Sequence, residues 1–459
     1  MKHLNDRNTK RAALGLSLLL GLSLGSQSAF SATQAEEIAA LKSQLSQLTQ
    51  RLSELESSQR QTDGILARTE PQLKVLENLP EVKVGSKGLQ FASPDGNYTF
   101  RLDGGFQQDG RWFLDGPEDA DSFDTRRFRP SIRGTLFDSW DWRLQYETDN
   151  NSLYDAYIRY THAPWLKVKA GRQKTSVGLE RLQGYANTPF AERGIQTNLT
   201  PTRDNGVQLS GKLLDSTVLY ELGLFNGAEN DGRPDTDGAD SKTVSGRLFF
   251  TPWARDKDSA LSGLGFGVAA SHGDEEGAAL PRYRTYGRQT FFNYEGGTAA
   301  TGDHTRINPQ LSYHKGKFGL LAEAIFDEQT FTRGGVEREI DSYAWALTPS
   351  YVLTGGTNAF GGVKLDEGAA LHEGGKGAWL LAARVSYFEI DDDVFAGTAA
   401  TRLGNPDSDA LEVSTYGASL SWYPDPNVRL SFSLDHSQFD EGADRDDETV
   451  LVTRLQVAF

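Results

Sequence analysis

From about residue 97 to the last residue, apolar and polar side chains alternate along the chain. "WDWRLQYE" sets Trp140, Trp142, Leu144 and Tyr146 against Asp141, Arg143, Gln145 and Glu147, and "NVRLSFSLDH" sets Val428, Leu430, Phe432 and Leu434 against Arg429, Ser431, Ser433 and Asp435. The closing "LVTRLQVAF" opposes Leu451, Leu455, Val457 and Phe459 to Val452, Arg454, Gln456 and Ala458. Successive side chains leave a strand on opposite faces, so each segment has one apolar and one polar face. Each is about ten residues long, enough to cross a bilayer when tilted. A soluble sandwich also alternates, so the connections decide. Counting from Tyr98, sixteen strands emerge, with long connections near 115–124, 173–204, 227–241, 272–303, 328–338, 391–410 and 440–448. Short ones fall near 138–140, 163–164, 215–216, 252–261, 316 and 424–426, and only 354–376 breaks the parity. This predicts a sixteen-stranded antiparallel transmembrane β-barrel over 97–459, with periplasmic turns and outer loops. Trp140, Trp165, Trp253 and Trp422 at strand ends suit interfacial girdles.

The first residues carry other signals. Lys2, Arg7, Lys10 and Arg11 precede the apolar run "AALGLSLLLGLSL", and Ala29 and Ser31 offer small residues for cleavage, so 1–31 is expected to be a signal peptide. Cysteine is absent, which removes disulfides and thiolate chemistry and fits an exported protein. Ile38, Leu41, Leu45, Leu48, Leu52 and Leu55 recur at spacings of three and four among polar residues, predicting a short periplasmic coiled-coil helix over 32–60. So short a seam needs another oligomer contact beside it. Gly64, Pro71 and Pro80 mark 61–96 as a linker and entry to the barrel.

The formal charge is −16, yet "RRFRPSIRG" places Arg127, Arg129 and Arg133 on alternate positions. With Phe128 and Ile132 facing lipid, those arginines face the lumen, because a charge on the lipid face costs roughly 2–4 kcal/mol at the midplane. The same parity turns Arg143, Lys167, Lys169 and Arg454 inward, while acidic residues gather in loops such as "DGPEDADSFD", "AENDGRPDTDGAD" and "EGADRDDE". The long segment 173–204 holds Arg181, Arg193 and Arg203 and is long enough to fold into the channel. In "ALPRYRTYGRQTFF", Arg282, Arg284 and Arg288 lie at even offsets, which in an extended segment aims all three one way. Guanidinium groups in series suit oxyanions, since each offers two parallel donors and stays charged.

The segments "FRLDGGFQQDGRWF", "TRRFRPSIRG", "DWRLQYETD", "LYDAYIRYT", "LKVKAGRQKTSVGLERL", "FAERGI", "DNGVQLS", "PRYRTYGR", "GASLSWYPDPNVRLS" and "RLQVAF", in that order, resemble the phosphate- and polyphosphate-selective porins of Gram-negative outer membranes, the porin O and P family. The resemblance runs from about Lys83 to Phe459. It implies a passive homotrimeric channel for phosphate, pyrophosphate or polyphosphate, set in outer-membrane lipid and lipopolysaccharide, with no cofactor and no nucleic-acid partner. It implies a constriction at Arg126, Arg127, Arg129, Arg143, Arg181 and Arg193 with Asp155 as its acidic member, an arginine ladder at Arg282, Arg284 and Arg288, and a periplasmic exit at Lys83, Lys87 and Arg101. Parity alone leaves the direction of Arg126 open. This chain departs from the family in having Arg143 and Arg181 where lysine is usual, and Gly105 where an arginine follows "LGG".

Two other classes remain open at this point. A general or carbohydrate diffusion porin with weak ion selectivity would use Tyr157, Tyr283 and Tyr286 as a sugar track. A barrel enzyme needs a nucleophile and an oriented base, and His162, His272, His304 and His314 show no such motif. No spacing of metal ligands stands out, and the acidic runs at 391–393 and 444–448 read as solvated loop charge.

Overall fold

The computed structural model describes residues 30–459 apart from 78, 117–120, 149–150, 229, 231–239, 241 and 279, with the side chains of the first helix described over 34–69. Most of the expected signal peptide and of the 227–241 loop therefore lies outside the described residues.

Sixteen strands close into one antiparallel barrel. They are Tyr98–Asp115, Ser122–Leu136, Trp140–Glu147, Ser152–Ala163, Leu166–Gln173, Asp204–Leu213, Val218–Phe225, Thr243–Phe250, Leu264–Gly277, Ala299–Lys315, Phe318–Arg333, Val336–Thr354, Ala378–Ile390, Ala410–Asp425, Val428–Gly442 and Glu448–Ala458. Each pairs with its neighbours in sequence, and the last closes on the first through Leu451↔Trp112 and Val457↔Phe106. The alternation sorts as the sequence predicts. Phe128, Leu144, Ile158, Leu222, Phe326 and Phe432 are exposed on the outer wall. Their neighbours Arg127, Arg129, Gln145, Asp327, Ser431 and Ser433 are buried inside.

Two connections differ from expectation. The segment 328–338 is continuous strand interrupted only by Gly334 and Gly335, both at positive φ (60° and 76°), because glycine alone adopts a tight turn of that hand cheaply. The break between Trp140–Glu147 and Ser152–Ala163 is an additional connection that the alternation masks. The long segment 355–377 does lie at the end with short turns, where Val363 and Leu365 pack against Val352, Ala378, Leu380 and Tyr423.

Ahead of the barrel, Glu81–Gly85 and Gly88–Ala92 form a hairpin whose second strand pairs with Thr99–Leu102 of the first barrel strand. The expected linker is thus largely ordered. The N-terminal helix, Phe30–Glu77, is a separate unit and continues through Gly64 and Pro71. A glycine in a helix costs only about 1 kcal/mol relative to alanine, which a helix of 48 residues absorbs. Its seam is uncovered in the single chain, with Ile38 54% and Leu55 69% exposed.

The interior holds one feature that alternation hides. Inward-facing Ile325, Phe331, Ile340, Phe388, Ile390, Val413 and Val450 are apolar, and they pack on Ile195, Leu199, Tyr283, Tyr286, Phe291, Phe292 and Leu403 from inward-folded loops. Part of the lumen near the loop end is therefore a dry core. Burial of that apolar surface, at roughly 25 cal/mol per Å², is what holds the loops inside.

Candidate functional site

Two bulges aim the key side chains. In the second strand the register passes from Gln107↔Arg127 to Gln108↔Thr125, leaving Arg126 as the extra residue. A bulge breaks the strict alternation, so consecutive residues can share a face. Arg126 consequently also turns inward, where its Nε lies 2.6 Å from Glu192 Oε1 and its Nη2 3.0 Å from Oε2. In the fourth strand Gln145 pairs with Asp155 and Tyr146 with Leu153, so Tyr154 is the extra residue. Its ring carries two guanidiniums, with Arg129 Cζ 4.1 Å and Arg203 Cζ 3.7 Å from the centroid. Arg129 also lies 4.8 Å from the Tyr185 ring and pairs with Glu147. Asp155 accepts from Arg203 Nε at 3.0 Å and lies 3.4 Å from Arg143 Nη1.

The segment 174–203 folds into the barrel, and arginines from the wall tether it by its backbone. Arg429 Nη1 donates to Thr188 O at 2.6 Å, Arg384 Nη1 to Glu192 O at 3.0 Å, and Arg454 to Ala191 O. Arg384 stacks on Phe190 and Tyr286, 4.0 and 3.9 Å from their centroids. Glu323 accepts from the backbone N–H groups of Leu179 (2.6 Å) and Glu180 (3.0 Å). Arg454 is also held by both oxygens of Asp109 at 2.6 Å and reaches Glu192 Oε1 at 2.8 Å. These arginines serve the placement of the segment.

The remaining cations divide by partner. Arg126, Arg127 and Arg454 surround Glu192, Arg127 Nη2 at 3.7 Å. Lys174 and Arg193 instead donate to uncharged carbonyls, and Arg181 lies beside them. Lys174 Nζ donates to the carbonyls of Arg181 and Gln183, the latter at 2.8 Å. Arg181 donates to Thr200 Oγ1 at 2.9 Å and Thr197 O at 2.8 Å. Arg193 donates to the carbonyls of Glu180 (3.3 Å) and Gln183 (3.2 Å). Burial and the neighbouring cations show in the acidity of Arg193 and Lys174. Burial, then Arg181, pulls Arg193 down to about 10 despite Glu180. Burial, then Arg203 and Arg193, lowers Lys174 well below an ordinary lysine. Burial would push the Glu192 carboxyl up, but Arg126, Arg454 and Arg127 hold it well below the usual carboxylate range.

The ladder differs from expectation. Only Arg282–Arg284 is strand, paired with Thr290–Asn293, and the chain then turns so that Arg288 has φ 68°. Arg288 faces Asp124, with Nη1 3.4 Å from Oδ2, while among the described residues the guanidiniums of Arg282 and Arg284 have no hydrogen-bond or ion-pair partner. The three are therefore not aligned. Tyr283 and Tyr286, expected in a sugar track, are only 1% and 2% exposed, because the apolar core takes their rings. At the turn end, Lys83 and Arg101 line a cavity of about 590 Å³ with Arg133, Arg143 and Arg159, and Lys87 sits on the exposed hairpin turn outside that lining. Gly105 is explained by Tyr185, since a Cβ there would lie 2.1 Å from the Tyr185 hydroxyl.

Residues 97–459 match the family described as phosphate-selective porin O and P. The chain belongs to that family. It is accordingly an outer-membrane porin, a channel rather than an enzyme. Among solved structures it is similar to the outer membrane channel DcaP of Acinetobacter baumannii, at 12% identity and TM-score 0.52 over 80% of this chain and 99% of that one. It is also similar to OmpT of Vibrio cholerae (11%, TM-score 0.49, 83% and 100% covered) and to the anion-selective porin of Comamonas acidovorans (12%, TM-score 0.47, 79% and 100% covered). The likeness to DcaP supports the barrel fold and nothing finer. No curated protein matches the chain.

Sequence reasoning missed Lys174, Tyr154, Tyr185 and Glu192. Glu192 was legible in principle, as an acid beside Arg193 in a segment that also holds Lys174, Arg181 and Arg203.

Proposed function

We propose that this porin is a passive, anion-selective channel for phosphate, pyrophosphate or polyphosphate, working as a homotrimer with its N-terminal helix in the periplasm. The observation that carries the reading is the pair Lys174 and Arg193, whose hydrogen-bond partners are carbonyl oxygens. Cations held by neutral dipoles keep their attraction for a passing anion, and a narrow site with reduced dielectric strengthens it from about 1 to about 4 kcal/mol at contact. Arg129 and Arg203, stacked on Tyr154 and paired with Glu147 and Asp155, shape the wall beside this group, and Arg282 and Arg284 lie on the loop side. Arg133, Arg101, Arg143 and Lys83 line the cavity at the turn end, each beside a carboxylate, Asp103 for the first two, Asp155 and Glu81 for the others. Several moderate sites in series let an anion exchange water stepwise without being trapped.

The trimer rests on the uncovered seam from Ile38 to Leu55, which three copies of the helix would bury. Reversal potentials of the purified channel in asymmetric KCl test the selectivity. Anion preference is expected, with chloride current blocked by added phosphate. A cation-selective channel, or one indifferent to phosphate, defeats the reading.

A further inference from the structure

Glu192 stands where an anion would be expected to bind. Its two oxygens are gripped by the Arg126 fork at 2.6 and 3.0 Å and by Arg454 Nη2 at 2.8 Å, with Arg127 Nη2 at 3.7 Å. A guanidinium meets a carboxylate and a phosphate through the same pair of parallel N–H donors. Three guanidiniums converging on one carboxylate thus form an oxyanion site already filled by the protein. Some donor capacity is left over, because Arg127 Nε is buried without a partner among the described residues. The carboxylate is carried on an inward segment, and its backbone is held independently. Arg384 and Arg454 bind the carbonyls of Glu192 and Ala191, Arg429 binds Thr188, and Ser433 Oγ accepts from the Ala191 N–H at 3.0 Å. Loss of the carboxylate charge therefore leaves the segment tethered.

We propose that Glu192 is a tethered competitor of the permeating anion, occupying the Arg126–Arg127–Arg454 site so that oxyanions pass along it without being captured. The inference rests on the anion-selective reading above. It makes Glu192, and not Asp155 alone, an acidic residue that sets how tightly this pore holds its anion. Because the carboxyl lies well below the ordinary range, it stays charged throughout the physiological pH range and acts as a fixed competitor.

The test is phosphate block of chloride current through the reconstituted full-length channel, wild type beside E192Q, E192D and R126Q/E192Q. With the competitor removed, E192Q should be half-blocked at about one-tenth of the wild-type phosphate concentration, a change on the scale of one charge-assisted contact. Acetate should then relieve that block by re-entering the vacated site. E192D, which keeps the charge, should stay near wild type, and R126Q/E192Q should lose most of the gain. The inference is overturned if E192Q blocks as the wild type does, or if it shows weaker block with larger conductance, the signature of a loosened segment. Wild-type channels without anion preference would instead defeat the proposed function, a separate outcome readable before any variant is made.

Discussion

The arginines of the barrel wall and those of the inward segment look alike in sequence and differ in their partners. On the wall, Arg454 is locked to Asp109, Arg129 to Glu147 and Arg384 to Asp435, each pair almost wholly buried. On the inward segment, Arg193 and Lys174 rest on carbonyls, while Arg203 at its end is paired as on the wall, with Asp155. A cation facing a carboxylate is largely neutralised and contributes placement; a cation facing neutral dipoles keeps its charge for a mobile partner. Proximity to the pore is thus a poor guide to which cations select anions.

The strongest way to break this comparison is on the wall. Asp109→Asn leaves the Arg454 guanidinium short of its principal counter-charge, and losing one partner of a buried pair costs roughly 3–5 kcal/mol. The barrel's thermal unfolding midpoint, followed by heat-modifiable migration on gels, should fall clearly, more than for any change on the inward segment. Next, Arg193→Gln should leave that midpoint near wild type yet raise the phosphate concentration for half-block about tenfold, or about 1.4 kcal/mol. A large loss of stability there would place Arg193 with the wall group.

Acidity sharpens the same division. Lys174 has its pKa lowered by burial and then by Arg203 and Arg193, so it loses its proton at a pH below that of an ordinary lysine. Anion preference should therefore decline as pH rises from 7 towards 10, and K174R should flatten the decline. Glu192 runs the other way. Its folded pKa is depressed, so its stabilising contribution is complete above the ordinary glutamate value and is lost only as pH falls through the lower folded one. The smallest effect belongs to the loop side: at half-buried Arg284, Arg284→Glu should reduce phosphate block by about two- to threefold at low salt and by less near 1 M, where charges near solvent are screened.

Much of the fold was legible because alternation and loop parity are local signals. The inward direction of Arg127 and Arg129 followed from Phe128 between them. Arg126 did not, since a bulge is set by pairing with Gln107 and Gln108 in another strand. The turn after Arg284 was equally invisible, and it separates Arg288 from its expected companions. Tyr283 and Tyr286 misled because aromatic side chains serve a dry core as readily as a wet track, and only the meeting of loops with Phe388, Phe331 and Ile195 decides which. The partner of each cation, which divides the site, depends on contacts far apart in sequence, such as Arg454 with Asp109 and Ala191.

The central claim is that the inward segment, and not the wall, carries anion selectivity. Reversal potential in asymmetric KCl for K174Q/R181Q/R193Q, set beside R126Q/E192Q, tests it most directly. The account predicts that the first collapses toward the value of an unselective pore while the second keeps its anion preference; a segment variant that retains the wild-type potential would contradict it.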